Sequence, residues 1–349
     1  MRSAVLLGKG RYADEIRGFE AEDGPRTEFI TVARRIDAKV FSFATARSER
    51  SALFGRLFGR KPVIGSVVNF VIQAGSIDRC YVTGEDIGIV AAILLRLRGW
   101  QGKLYCVFHA MTPKKAKILR LIGHKMFGVF IVVSEKQRRL LIEEGNVPPE
   151  KVLTVHNWVD DRFFHPRDLA RATSPGAKVV MACGAENRDY PTLVRAMKTV
   201  DADLKLFAHG FYGTHQGTVD PSAQDRIRLM PRVSFSDLLK SYQDADVIAV
   251  PLNEVDYAAG VTGLVEAMAC GKVVVVSATA GLDGYLDGID PTLLVKPHQP
   301  TDLAQAVSKA LAIAHDPARQ DGSRNRDWVV KHCSLDNYVQ KVANLMAAT

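Results

Sequence analysis

Short apolar runs alternate with amphipathic stretches along nearly the whole chain, and no other feature limits its fold as strongly. The candidate strands are residues 4–7, 29–32, 79–82, 103–108, 129–133 and 152–155, then 178–182, 204–209, 247–250, 273–276 and 293–295. Helical patterns occupy 87–98, 116–127, 136–144, 191–200, 236–243, 262–269 and 303–314. Buried-looking strands separated by helices predict an α/β chain with parallel sheets. The alternation pauses once, where residues 157–166 lead into the polar stretch 167–176 before a fresh strand begins. That pause divides the chain into domains at 1–165 and 166–330, and for the C-terminal helix, 330–349, packing back onto the first domain is one arrangement. At 349 residues each half is long enough to bury its own core. A ligand of such a chain is expected in a cleft at the carboxyl ends of the strands.

The net charge of +8 is unevenly spread. Residues 1–165 hold 27 Lys and Arg against 17 Asp and Glu, a balance of +10, which leaves −2 for residues 166–349. Such a field favours anionic partners: a lipid surface, a phosphorylated acceptor or nucleic acid. The five cysteines include no Cys-x-x-Cys pair, which fits a reduced cytoplasmic protein. The N-terminus lacks a signal-peptide pattern and the greasiest stretch, 89–95, is closed by Arg96 and Arg98, so no span of a bilayer is expected.

The densest chemistry lies in residues 257–276, a loop of small residues followed by a helix, Gly271-Lys272 and a buried strand. Gly260 lets backbone approach a ligand. The amides of Gly260, Val261, Thr262 and Gly263 at a helix start suit a phosphate, helped by the helix dipole. Glu266, one turn further on, can accept two hydroxyls of a ribose. Arg188 precedes another helix at the start of the second half, where a guanidinium can clamp a diphosphate in bidentate fashion. His109 ends a strand and opens the loop Ala110-Met111-Thr112-Pro113. Gly8-Lys9-Gly10-Arg11 follows the first strand, bringing small backbone and two cations.

Residues 257–276 resemble the donor-site signature of the group 1 family of retaining glycosyltransferases, which have two Rossmann-like domains facing across a cleft (the GT-B architecture). Further segments match in order: Cys106 to His109, Val132 to Glu135, Val147 to Val152, His156 to Asp160 with Phe164-His165-Pro166, and Gly184 to Leu193. The resemblance implies sugar transfer from a nucleoside-diphosphate sugar, as co-substrate, to an acceptor hydroxyl with retained anomeric configuration. The leaving phosphate itself helps to deprotonate the acceptor, and neither metal nor cofactor is needed. It implies His109 and Glu266 at the catalytic centre, with Gly8, Gly10, Arg188, Gly260, Val261, Thr262, Gly263 and Glu266 on the donor. The family's paired-glutamate pattern has Ala258 at its first position, so the sugar is left open. The earlier of two basic residues common in the Arg188 loop is replaced by Ala185 or Glu186, which shifts weight onto Arg188 and the 260–263 amides.

Two basic surfaces point to the acceptor side. In 47–61, Leu53, Phe54, Leu57 and Phe58 repeat at i, i+4 among Arg and Lys, the pattern of an interfacial helix on anionic lipid or of a helix packed on its own domain. Lys114, Lys115, Lys117 and Arg120 follow His109 and, with Lys9 and Arg11, suit a phosphorylated or lipid-linked saccharide or a small-molecule acceptor. These readings place the protein in the cytoplasm, at most peripheral at the inner face of the membrane, in polysaccharide or glycoconjugate biosynthesis.

Rival readings are a nucleotide-sugar epimerase of the same architecture and an NADP-dependent oxidoreductase. For the latter, residues 8–13 fit G-x-G-x-x-A, and Arg34 and Arg35, placed at the end of the strand 29–32, could take a 2′-phosphate. Nucleic-acid binding is disfavoured because aromatics do not alternate with the cations. Asp201-Ala202-Asp203 and Asp244-Ala245-Asp246 imitate a metal-binding Asp-x-Asp but fall at helix-to-strand turns, so no metal is expected.

Overall fold

The computed structural model describes residues 2–8, 24–42, 62–167, 178–208 and 226–348. It divides into two units, Met1–His156 with Asp336–Thr349, and Asn157–Leu335.

In unit 1, strands β1 (Ser3–Leu6), β2 (Lys39–Phe41), β3 (Arg79–Val82), β4 (Lys103–Phe108), β5 (Phe127–Val132) and β6 (Val152–Thr154) form one parallel sheet in the order β2-β1-β3-β4-β5-β6. The connections carry α1 (Glu28–Arg35), α2 (Pro62–Gln73), α3 (Glu85–Arg98), α4 (Pro113–Ile122) and α5 (Glu135–Glu143). Alternate strand residues point to opposite faces. Ala4, Leu6, Cys80, Val82, Cys106 and Phe108 therefore enter a core that also holds Phe70 of α2, Leu95 of α3 and Leu119 of α4. α3 lies so close to β4 that a Cβ on Gly88 would stand 2.4 Å from Cys106 Sγ, which only glycine permits.

One expected strand is a helix. Residues 29–32 lie inside α1, where Glu28 occupies the first turn, Arg34 and Arg35 the last, and Ile30, Val32 and Ala33 are buried. Charges at both ends complement the helix dipole, and a four-residue apolar run is too short to reveal its period. The strand falls instead at β2. Arg34 and Arg35 thus sit on a helix rather than at a strand end, which removes the support they lent to a dinucleotide site.

In unit 2, β7 (Val179–Cys183), β8 (Asp203–Phe207), β9 (Ile227–Leu229), β10 (Val247–Val250), β11 (Val273–Ser277) and β12 (Leu294–Val295) form a second parallel sheet, ordered β12-β11-β10-β7-β8-β9. Its helices are α6 (Tyr190–Met197), α7 (Phe235–Asp244), α8 (Val261–Ala269), α9 (Pro300–Ala314) and α10 (Asp321–Cys333). Every residue of β10 and β11 is buried, as expected of central strands covered on both faces. After α10 the chain turns at Ser334 into α11 (Leu335–Ala347). α11 belongs to unit 1 from Asp336 onward, where Tyr338 shares a buried 2.9 Å hydrogen bond with Tyr81 of β3.

Both Asp-x-Asp segments serve turns at the amino edge of this sheet. Asp246 Oδ2 accepts from Val179 N at 2.7 Å, Asp244 pairs with Arg167 at 2.8 Å, and Asp201 pairs with Arg226 at 2.5 Å.

Candidate active site

The strand order of unit 2 reverses between β7 and β10, and at such a switch point the loops leaving the carboxyl ends diverge and open a place for a ligand. The two loops that meet there carry Arg188 and Gly260. They are stitched together by backbone: Asp189 N donates to Pro251 O at 3.1 Å and Asn253 N to Asn187 O at 3.0 Å, around an antiparallel bridge between Arg188 and Leu252. Gly184 and Asn187 turn the chain through positive φ of 102° and 50°. Asp189 then caps α6 by accepting from Thr192 N at 3.2 Å.

Arg188 is half-buried and held from behind. Its Nε donates to Cys183 O at 2.9 Å and Nη1 to Glu186 O at 3.1 Å, which fixes the plane of the guanidinium. Three glycines make room for it. A Cβ would stand 2.5 Å from Nη2 at Gly184, 3.1 Å from Nη1 at Gly260 and 3.5 Å from Nη2 at Gly263. Gly260, at φ 81°, is the residue before α8 and offers no side chain to cap it, while Thr262 is exposed on the first turn. A rigid cation beside an uncapped helix start is an anion-binding arrangement in which charge, donors and dipole have one sign.

Glu266 stands one turn along α8. Tyr242 Oη donates to its Oε2 at 2.9 Å. Burial pushes the Glu266 carboxyl up to about 7, against the opposing pull of the Tyr242 hydrogen bond and the Arg188 charge. It can therefore exchange a proton near neutrality or accept a hydroxyl when ionised. Neighbouring Cys183 is pushed by burial up to about 12 and is no nucleophile.

A second carboxylate, not anticipated from the sequence, borders the same loops. Tyr257 Oη donates to Glu186 Oε1 at 2.8 Å and is itself hydrogen-bonded by Asn187 Nδ2. Ala258 follows Tyr257 directly.

Unit 1 presents its own strand-end group. His109 is exposed at the carboxyl end of β4, and its loop is gripped by a buried carboxylate: Glu85 accepts from His109 N at 3.0 Å, Ala110 N at 3.2 Å and Lys115 Nζ at 2.8 Å. Met111 N donates to the buried Gln137. Burial raises the Glu85 pKa, but these donors outweigh it and hold the group below its ordinary value. Lys115 also pairs with Asp86 at 2.9 Å, so its charge is taken up internally, whereas Lys114, Lys117 and Arg120 are exposed on α4. Gly8 lies just past β1, 3.4 Å from Ile87 by its hypothetical Cβ. Lys9, Gly10, Arg11 and the segment 47–61 lie outside the described residues. Among the described residues no group of three or more His, Cys, Asp or Glu converges as a metal site would require, and no helix is long and apolar enough to cross a membrane.

The Arg188, Gly260 and Glu266 cluster combines residues 184–189 with 252–266, and the partners Tyr242 and Tyr257 carry no local motif. Glu85 is legible as the acidic first residue of a helix, but nothing in its neighbourhood announces that it reaches residues 109, 110 and 115.

Residues 177–312 match the model of the family described as glycosyl transferases group 1. A D-inositol 3-phosphate glycosyltransferase of Mycolicibacterium gilvum is 28% identical over 200 residues, which are 52% of this chain and 44% of that protein. The chain thus spans about half the length of the curated relatives it matches. Among solved structures, Anabaena Alr3699/HepE in complex with UDP superposes with a TM-score of 0.67 at 15% identity, covering 100% of both chains. Sucrose-phosphate synthase from Thermosynechococcus elongatus does so with a TM-score of 0.62 at 20% identity, over 83% of this chain and 80% of its own. These likenesses show the fold, two parallel-sheet α/β domains of the GT-B type.

Proposed function

We propose, from the match of residues 177–312 to the group 1 glycosyltransferases, that the chain transfers a sugar from a nucleoside-diphosphate donor to a hydroxyl of a phosphate-bearing acceptor. The observation that carries this reading is the placement of the Arg188 guanidinium against Gly260 and Gly263 at the uncapped start of α8. A leaving diphosphate gains negative charge as the glycosidic bond breaks, and a preorganised cation with helix-start amides stabilises that charge more than it stabilises the intact donor. Glu266 receives the ribose hydroxyls in its ionised form. Gly8, the residues that follow it in sequence, Lys9, Gly10 and Arg11, and His109 are assigned to recognition of the donor sugar or the acceptor.

Transfer is proposed to retain anomeric configuration, with the departing phosphate oxygen taking the acceptor proton, and to run without a metal because Arg188 and the amides supply the positive charge. A phosphorylated acceptor is supported by the names of related proteins, D-inositol 3-phosphate glycosyltransferase and sucrose-phosphate synthase, and by the exposed cation Lys114 at the start of α4, just after His109. Peripheral attachment to the inner membrane face is part of the same proposal.

The test is a thermal-shift screen with UDP, GDP and ADP, followed by transfer assays with the matching nucleotide sugars and sugar or inositol phosphates, the product anomer being read by proton NMR. Stabilisation by one diphosphate, lost in Arg188→Ala, is expected. No stabilisation by any of them would sink the reading.

A further inference from the structure

Unit 1 carries an exposed apolar feature that the proposed transfer does not use. α3 is apolar on two sides. Ile87, Ala91 and Leu95 enter the core, while Val90, Ile93 and Leu97, spaced i, i+3 and i+7, form a second stripe in solvent. Leu97 is 81% exposed, Leu121 of α4 is 86% exposed and Ile72 of α2 is 45% exposed. Of the ten large hydrophobic side chains exposed among the described residues, nine belong to unit 1.

The helix ends that carry three of them are linked through arginine side chains. Arg98 Nη1 donates to Val71 O at 2.6 Å and Ile72 O at 2.9 Å, and Arg96 Nη1 donates to Ile122 O at 2.5 Å. The last turns of α2, α3 and α4 therefore stand side by side, with Ile72, Leu97 and Leu121 at their ends. The C-terminal carbonyls of α2 and α4 take up these donors and offset part of the guanidinium charge, while no carboxylate pairs with either arginine among the described residues. Between Asp86 and Glu135 the chain has no acidic residue and eight Lys and Arg. Among the described residues, Lys115 alone of those eight is paired with carboxylates. At the same end of the layer Lys103 Nζ donates to Lys125 O at 2.8 Å. Lys151 nearby is held below its ordinary pKa by burial and then by the charge of Lys103, a sign that positive charge is crowded there.

We infer that this face docks on an anionic lipid bilayer, with Leu97 and Leu121 entering the acyl boundary while Arg96, Arg98, Lys117 and Arg120 meet headgroup phosphates. Protruding aliphatic side chains ringed by cations that lack carboxylate partners suit that medium, which is apolar beneath and anionic above. A second copy of the chain would bring like charges together. A nucleic-acid duplex would reward the cations but leave Leu97 and Leu121 in water. The surface is argued independently of the transferase reading, and differs from the segment 47–61 considered from sequence.

The test is co-sedimentation of the full chain with vesicles of phosphatidylcholine alone and of phosphatidylcholine mixed with phosphatidylglycerol. Binding to the anionic vesicles only, falling steeply with salt, is expected. Leu97→Asp/Leu121→Asp should reduce it about tenfold or more, and Lys117→Glu/Arg120→Glu should abolish the preference for phosphatidylglycerol. The leucine pair is exposed, so the thermal midpoint and transfer to a water-soluble acceptor should survive its replacement. Absence of binding to anionic vesicles at low salt, binding indifferent to both double variants, displacement of vesicles by duplex DNA, or a dimer that the leucine variant dissolves would each overturn the inference. Lack of transfer by the wild type would count against the proposed function and leave this surface untouched.

Discussion

A Cβ placed on Gly260 would stand 3.1 Å from Arg188 Nη1 and 2.8 Å from Leu252 Cδ2, so the cation of one loop occupies space that only glycine leaves open in the other. The φ of 81° at Gly260 is also one that L-residues avoid. Gly260→Ala should therefore cost about 1–2 kcal/mol of stability and, by displacing the guanidinium, lower nucleoside-diphosphate affinity roughly tenfold. Chemical denaturation and calorimetric titration read the two effects separately.

Arg188→Lys is the sharper test of geometry. A lysine keeps the charge but not the fork that Cys183 O and Glu186 O hold in plane. Diphosphate affinity should fall about tenfold with Lys and about a hundredfold with Ala, as expected for one or two charge-assisted hydrogen bonds. Equal affinity in wild type and both variants would show that the diphosphate binds elsewhere.

Glu266 has a folded-state pKa of about 7 against 4.5 for the free group. Because the folded protein holds this proton more tightly, the group lowers stability progressively as pH rises from about 4.5 to about 7, by at most about 3 kcal/mol, and the deficit persists above that range. Glu266→Gln should match the wild type near pH 4.5 and be more stable at pH 8, with weaker nucleotide binding there. Tyr242→Phe, which removes the donor that pulls the pKa down, should move the NMR titration midpoint of Glu266 upward. A wild-type curve parallel to that of Glu266→Gln would refute the assignment.

Glu85 has the opposite sign. Its pKa is depressed by Lys115 and the His109 amide, so its contribution is present above the free value of 4.5 and disappears as pH falls below it. Glu85→Gln should lose about 1–3 kcal/mol at neutral pH, less than for a fully buried pair because Lys115 is partly exposed. The deficit should vanish in acid. If His109 acts on the substrate, kcat should fall more than KM rises, since the loop is loosened while the donor cradle in unit 2 is intact.

Transfer should be insensitive to EDTA, because Arg188 and the α8 amides are placed to take the charge of the leaving group. Activity that disappears with EDTA and returns with a divalent cation would contradict that part of the mechanism.

Much of the architecture could be read from local pattern. β10 and β11 are continuous apolar runs because both faces are covered, and α8 follows a glycine because the chain enters it through a positive φ of 81°. Where two patterns share four residues, as at 29–32, local reading failed and the charges at the ends of α1 were the better guide. The short edge strand β9 offered too few residues to register at all.

Sequence alone determined which groups could bind a diphosphate: a guanidinium, a glycine-bounded helix start and a carboxylate one turn later are chemical facts of residues 188, 260–263 and 266. Tertiary structure decided that they meet, because the reversal of strand order between β7 and β10 brings loops more than sixty residues apart to one edge. It also decided the state of Glu266, since a carboxyl's pKa depends on the water excluded around it and on Tyr242, neither of which is encoded by its neighbours in the chain. The same holds for Leu97 and Leu121: only the packed helix layer determines which leucines of an apolar pattern are left in solvent.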